Sequence, residues 1–397
     1  MTFIHLKPGK DKPVQHHHPW IFSGAIEKIE PDAPGQPGEV VVVKSSKGEF
    51  LARGYYNPHS QIAVRLLEWQ ESQAVDEQWW RRKLREAVER RRELFNRTDT
   101  DSFRLVHAEG DWLPGLIVDK YGAFLAVQSF TAGIDKVKSI MVDELNQLLQ
   151  PAGIYERGDL STRKLEGLAS ANGPLAGEPP PDYLEIKENG FRFLVNIPHG
   201  QKTGFYLDQR ENRKVVAGFA RDKAVLDGFA YSGSFGIYVL AAGAKSVVSI
   251  DSSTASLELL KKNYELNGFA AKEEELVRAD VFHTLRKYRD DGRMFDMVIL
   301  DPPKLAPTKA QVERAQRAYK DLNLMAMNVL APNGILATFS CSSGVSAELF
   351  QNIVAWAALD AGREAQILTR LSQGEDHPVR LAFPESQYLK GLICRVI

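Results

Sequence analysis

The chain has 397 residues, with 50 Lys and Arg against 51 Asp and Glu, and its 44% hydrophobic and 25% charged content is that of a folded protein rather than a disordered or strongly basic one. Its length exceeds the roughly 250 to 300 residues at which single cores stop growing, so more than one domain is expected. Two cysteines cannot build a disulfide framework or a four-cysteine zinc site, and neither a signal-type apolar core nor the ~20 apolar residues of a membrane span is seen, so a cytoplasmic protein with no metal and no membrane partner is expected.

Residues 1–72 read as short strands. The stretch "GEVVVVKSSKGEFLARGYYNPHSQIAVRLLEW" has β-branched runs punctuated by the turn-like "SSKG" and "NPHS", and a small β-barrel is the natural solution. "HHHPW" at 16–20 has no cysteine or acidic cluster beside it and reads as a surface loop rather than a metal site.

Residues 73–182 read as a central α+β domain. It opens on a basic helix within 81–97, where Arg and Lys outnumber Glu. Arg90, Arg91 and Arg92 are candidates for phosphate contacts; the alternative is a solvated face laced by pairs such as Arg82/Glu86 and Arg85/Glu89. A hairpin-like stretch, "FRLVHAEGDWLPGLIVDKYGAFLAVQSF", and a helix, "IDKVKSIMVDELNQLLQ", follow. The Gly/Pro-rich "ASANGPLAGEPPP" (169–181) predicts an exposed connector.

Residues 183–397 begin with two alternating runs joined through Asn189-Gly190, a hairpin signal because both turn residues tolerate positive φ. From residue 222 strand and helix alternate. Strands are predicted at "KAVLDGF", "SVVSID", "ELVRAD", "FDMVILD", "ILATFSC", "AQILTRL" and "YLKGLICRVI", and the helix "TASLELLKKNYELNG" stops at Gly268. The fold class is α/β, an open Rossmann-like sheet that binds ligands beyond the carboxyl ends of its strands.

The first of these strands runs into "DGFAYSGSFG", Asp227 to Gly236. Gly233 and Gly236 match the last two glycines of a dinucleotide loop, but Tyr231 holds the first position, and the Lys-Ser/Thr of a phosphate-binding P-loop is missing. An acid before a Gly-rich turn suits a ligand without phosphates, such as S-adenosylmethionine, and Asp227, Phe229, Tyr231, Ser232 and Gly233 are the candidate cofactor residues. Asp251 ends the second strand, where it can accept ribose hydroxyls; Asp280, after the third, can meet an adenine amino group. Each acid alone is more often a helix N-cap than a ligand; three at successive strand ends, beside a Gly-rich turn, favour a site. The fourth strand gives "VILDPPK", in which Asp301 sits on a stiff backbone, with Pro302, Pro303 and Lys304 at the substrate mouth. Enzymes that methylate exocyclic amines usually carry an aromatic where Lys304 stands. The fifth strand ends in "TFSCSS". There Cys341 is either a small core residue or a nucleophile close to Asp301 that can add to carbon 6 of a pyrimidine and activate carbon 5. Cys394 lies within an apolar alternation and reads as core.

Together "HPWIFSGAI", "GDWLPGLIVDKYG", "HGQKTGFYLDQRENR", "DPPK" and "FSCSS" resemble the bacterial large-subunit (23S) ribosomal RNA cytosine-C5 methyltransferases over essentially the whole chain. The resemblance implies an N-terminal RNA-binding PUA domain, a central mixed domain and a class I S-adenosylmethionine-dependent domain. It gives Cys341 the nucleophile's role and Asp301 the base-contacting role, and places Asp208 and Arg210 in the wall of the cofactor site. The implied partner is 23S ribosomal RNA or a large-subunit assembly intermediate; oligomeric state is left open, a homodimer among the options. One departure stands out. Many RNA cytosine methyltransferases carry a second cysteine, used in product release, where this chain has Pro303, so release must use another group, with Asp301 and a water as candidates for the base that removes the carbon-5 proton. The rival readings are an exocyclic-amine RNA methyltransferase and a non-catalytic RNA-binding assembly factor.

Overall fold

Two folded units divide the chain in the computed structural model, which describes residues 1–31, 35–158, 160–305 and 311–397. The first unit comprises Met1–Gly190, Val195–Leu207 and Glu375–Ser386. It opens with β1 (Thr2–Leu6), a helical turn α1 (Lys12–Gln15), β2 (Trp20–Ile21), β3 (Ile26–Glu30), β4 (Glu39–Lys44), β5 (Phe50–Tyr56) and β6 (Val64–Glu68). These strands pair in the order β2-β6-β5-β4-β1-β3. Side chains two apart on a strand share a face, and Ile4/Leu6, Val41/Val43 and Val64/Leu66 accordingly meet in one core.

Next comes α2 (Glu77–Glu89), started by Asp76, whose side chain accepts the Trp79 N–H. It buries Trp79, Trp80, Leu84 and Ala87. The single basic helix expected over 81–97 is instead broken at Arg90–Arg91, and a short α3 (Arg92–Phe95) follows. The cause is Arg91, which turns inward to an ion pair described below. A second sheet holds β7 (Phe103–His107), β8 (Leu116–Tyr121), β9 (Phe124–Ser129), β10 (Gly153–Arg157) and β11 (Asn172–Gly177) in the order β11-β10-β9-β8-β7. β9 and β10 are parallel, which requires a crossover; α4 (Ala132–Leu149) supplies it, and α5 (Leu160–Lys164) comes after β10.

β11 corrects the expectation that 169–181 is a free connector, because residues 172–177 pair antiparallel with β10. Gly177 serves close approach, not looseness: a Cβ there would lie 2.3 Å from the Ala152 carbonyl oxygen. Pro174 is tolerated because β11 is an edge strand. β12 (Leu184–Glu188) and β13 (Phe191–Val195) form the expected hairpin, with Asn189 at φ 49° and Gly190 at φ 83°.

The second unit comprises Phe191–Leu194, Asp208–Gly374 and Gln387–Ile397. Its elements run α6 (Arg210–Ala217), β14 (Ala224–Gly228), α7 (Ser234–Ala241), β15 (Ser246–Asp251), α8 (Thr254–Leu266), β16 (Leu276–Arg278), α9 (Val281–Asp290), β17 (Phe295–Leu300), α10 (Val312–Asn328), β18 (Leu330–Ser340), α11 (Ala347–Asp360), β19 (Ala365–Ser372) and β20 (Lys390–Val396). The sheet order is β16-β15-β14-β17-β18-β20-β19. β14 to β18 are parallel, and β20 lies antiparallel between β18 and β19. This is the Rossmann-like sheet expected, with a strand at every proposed segment, although β18 already begins at Leu330 and β19 runs on to Ser372, and Gly268, at φ 78°, follows α8. The chain steps outward from β14 to β16 and then returns to β17, so a crevice opens beyond the ends of β14 and β17. Leu226, Ile250, Val298 and Leu336 pack in the core cluster of this unit.

Candidate active site

The turn after β14 carries Phe229 at φ 65° and Tyr231 at φ 47°, a left-handed conformation that side-chain-bearing residues avoid. Tyr231 therefore adopts the backbone of the glycine it replaces. Asp251, at the end of β15, offsets that strain: its Oδ2 accepts the Tyr231 N–H at 3.0 Å and its Oδ1 the Ser253 N–H at 2.9 Å. Gly233, at φ 76°, starts α7. Gly236 explains itself by packing, since a Cβ there would fall 1.9 Å from the Tyr264 hydroxyl.

Asp227 is 1% exposed, and its Oδ2 has no hydrogen-bond partner. Burial pushes its carboxyl up to about 8, the negative charges of Asp301 and Asp251 add to the rise, and the Gly236 N–H works against it. Ser232 is likewise buried, with an unpartnered Oγ. A buried acceptor without a donor is costly. An ammonium-bearing amino acid end of a ligand such as S-adenosylmethionine supplies the missing donors, so these residues fit that cofactor. Phe229 packs against the core of the sheet with Phe282 nearby, ring centroids 6.3 Å apart. Asp280 is exposed and caps α9, its Oδ1 accepting the His283 N–H at 2.8 Å. Asp208 and Arg210 are both buried. Asp208 accepts the Tyr388 hydroxyl at 2.6 Å and, through its carbonyl, the Gly374 N–H. Arg210 meets Glu211 at 3.0 Å.

On the other side of the crevice, parallel pairing of β17 and β18 sets Leu300 beside Thr338. The residues after each strand end, Asp301-Pro302 and Cys341, are thereby brought together: Cys341 Sγ lies 3.9 Å from the Pro302 carbonyl oxygen. Cys341 is partly exposed, whereas Cys394 is buried in the core cluster and its thiol is pushed up to about 11. Pro302 is buried, and Pro303 and Lys304 are exposed beside it. Tyr319, fully buried on α10, approaches Ser342 Oγ at 3.1 Å.

Sequence reasoning passed over Lys390. It faces Ser340 across the β18–β20 pair and donates to the Ser342 carbonyl at 2.7 Å. The signal available was a lysine directly before the apolar run Gly391–Cys394 of β20.

Arg90, Arg91 and Arg92 belong to the first unit, and Arg91 overturns its assignment as a phosphate contact. It is 3% exposed, forks onto Asp111 at 2.6 and 2.7 Å, and donates to the Asp376 carbonyl. Arg90 is exposed, 3.7 Å from Asp111 and stacked over Trp112. Arg92 projects outward and pairs with Glu89.

A PUA-like domain family matches residues 4–69, and an S-adenosylmethionine-dependent methyltransferase family matches residues 122–377. Among solved structures, a Streptococcus mutans chain of the S-adenosylmethionine-dependent methyltransferase class superposes with a TM-score of 0.86 at 21% identity, covering all of both chains. Ribosomal RNA large subunit methyltransferase I of Tolumonas auensis is 45% identical over the full length of both chains, and that of Aeromonas salmonicida is 46% identical over 99% of each. With the unpartnered Asp227 Oδ2 and Ser232 Oγ at the head of a seven-stranded sheet of this order, the chain belongs to the ribosomal RNA large subunit methyltransferase I family of S-adenosylmethionine-dependent enzymes.

Proposed function

We propose that the protein methylates carbon 5 of a cytidine in large-subunit (23S) ribosomal RNA through a covalent bond between Cys341 and carbon 6. The observation that carries this reading is the approach of Cys341 Sγ to within 3.9 Å of the Pro302 carbonyl, which joins the thiol to the Asp301-Pro302-Pro303-Lys304 loop. The cofactor supplies a methyl sulfonium electrophile. Asp301 orients the ring by its amide or amidine edge. The Cys341 thiolate adds to carbon 6 and makes carbon 5 nucleophilic; carbon 5 then takes the methyl group of the bound sulfonium, whose methyl–sulfur bond breaks to leave S-adenosylhomocysteine. Loss of the carbon-5 proton to a base then re-forms the 5,6 double bond and expels the thiolate. The N-terminal sheet, as a PUA-like domain, serves to hold RNA.

The test combines two readouts. Mass spectrometry of ribosomal RNA modified by the protein should show 5-methylcytidine, and RNA carrying 5-fluorocytidine should trap the wild-type enzyme on a denaturing gel, because fluorine cannot leave as a proton. Cys341→Ala should bind S-adenosylhomocysteine and neither methylate nor trap. A base methylated on its exocyclic amine, or turnover by the alanine variant, overturns the reading.

A further inference from the structure

We propose that Lys390 is a positioning residue that holds Cys341 in its thiolate form, with the ammonium on β20 as fixed counter-charge to the sulfur beyond β18. The inference rests on Cys341 being the nucleophile and adds the means by which its sulfur is made reactive. Antiparallel register places Lys390 opposite Ser340, the residue before Cys341. Its side chain is 5% exposed. Nζ donates to the carbonyl oxygens of Ser342 and Tyr388, both at 2.7 Å, so two of its three N–H bonds tie it in place.

A buried ammonium is expensive unless a negative charge answers it, and among the described residues no carboxylate makes an ion pair with Lys390. The surrounding groups narrow the choice. Lys304, from the loop after β17, is of like sign and opposes it. Arg370 on β19 lines the same pocket and is a cation as well. Tyr319 on α10 is a buried phenol whose ionisation burial disfavours. Asp208 is engaged by the Tyr388 hydroxyl. Cys341 remains as the acid whose charge attracts Lys390. Burial brings the lysine down to about 8, against which the thiolate pulls, so at neutral pH it is still largely cationic. The interaction is mutual: what the thiolate does to keep a proton on the amine, the ammonium does to release one from the thiol. That proton passes to bulk water and the lysine keeps its own.

The pH dependence of iodoacetamide alkylation tests this on the intact protein without RNA, with peptide mass spectrometry to separate Cys341 from the silent, buried Cys394. Wild-type Cys341 should reach half-maximal reactivity below the ordinary thiol value of about 8.5. Lys390→Met should raise that midpoint by about one unit, a roughly ten-fold slower reaction at neutral pH, and Lys390→Arg should restore it toward wild type. S-adenosylhomocysteine binding checks that each variant is folded. A wild-type midpoint at or above about 8.5 overturns the proposal whether or not the methionine variant folds, as does a methionine variant that matches wild type. The nucleophile reading fails separately: a normal alkylation profile with an intact fluorocytidine adduct removes Lys390 alone, and a missing adduct removes Cys341 as nucleophile.

Discussion

Asp251 accepts the backbone N–H of Tyr231 at 3.0 Å, so the acid that ends one strand fastens the strained turn that follows its neighbour. Asp251→Ala should weaken S-adenosylmethionine binding by about 1.5 to 3 kcal/mol, the range for hydrogen bonds involving a charged partner. Titration calorimetry provides the check, and an unchanged affinity would remove Asp251 from the site.

Asp227 makes stability and cofactor binding respond oppositely to pH. Its folded carboxyl titrates near 8 against an ordinary value of 3.8, so between those values the folded chain holds a proton the unfolded chain has released. Its contribution to stability is therefore fullest below 3.8 and falls as pH rises toward 8. Asp227→Asn should make the protein without cofactor more resistant to urea at pH near neutral than wild type, and the difference should vanish at acid pH. Cofactor affinity in the wild type should climb as pH rises through this range, because the ligand's ammonium favours the ionised carboxylate. An affinity flat with pH would sink the assignment.

Gly236 should not accept a methyl group. Alanine elsewhere inside a helix stabilises by roughly 1 kcal/mol relative to glycine, but here the new Cβ would sit 1.9 Å from the Tyr264 hydroxyl. Gly236→Ala should therefore destabilise by about 1 to 3 kcal/mol, and pairing it with Tyr264→Phe should recover part of the loss. Thermal melts of the two single variants and the double would show it.

Arg91 and Arg92 are adjacent in sequence and opposite in consequence. Arg91→Ala removes the bidentate partner of the buried Asp111 carboxylate, leaving it only the His107 N–H and the more distant Arg90, and should cost about 3 to 5 kcal/mol, seen as a lower denaturation midpoint. Arg92→Glu should leave the melt unchanged and reduce the salt dependence of ribosomal RNA binding. Equal melts for the two variants would contradict this division.

These two arginines mark what the sequence could and could not disclose. The strands of the second unit were legible because they alternate with helices and most carry a short apolar run, and the acids at their ends follow from that. Arg91 was not, since a run of like residues carries no sign of which one turns inward toward Asp111, a partner on another element. β11 was hidden for a related reason: its glycines and proline describe a linker until β10 is there to pair with it. Lys390 escaped because its neighbour Ser340 becomes its neighbour only through long-range strand register.

The sheet order of the second unit also fixes an order of events. β20 follows β19 along the chain yet lies between β18 and β19 in space, so β19 has no hydrogen-bonded seat until β20 has been synthesised. The strands from β16 to β18, with the cofactor turn, can gather earlier. Lys390 comes opposite Ser340, the residue before Cys341, only once β20 pairs with β18, so on the arrangement proposed above a partly made chain emerging from the ribosome would hold an ordinary thiol there until the sheet is whole.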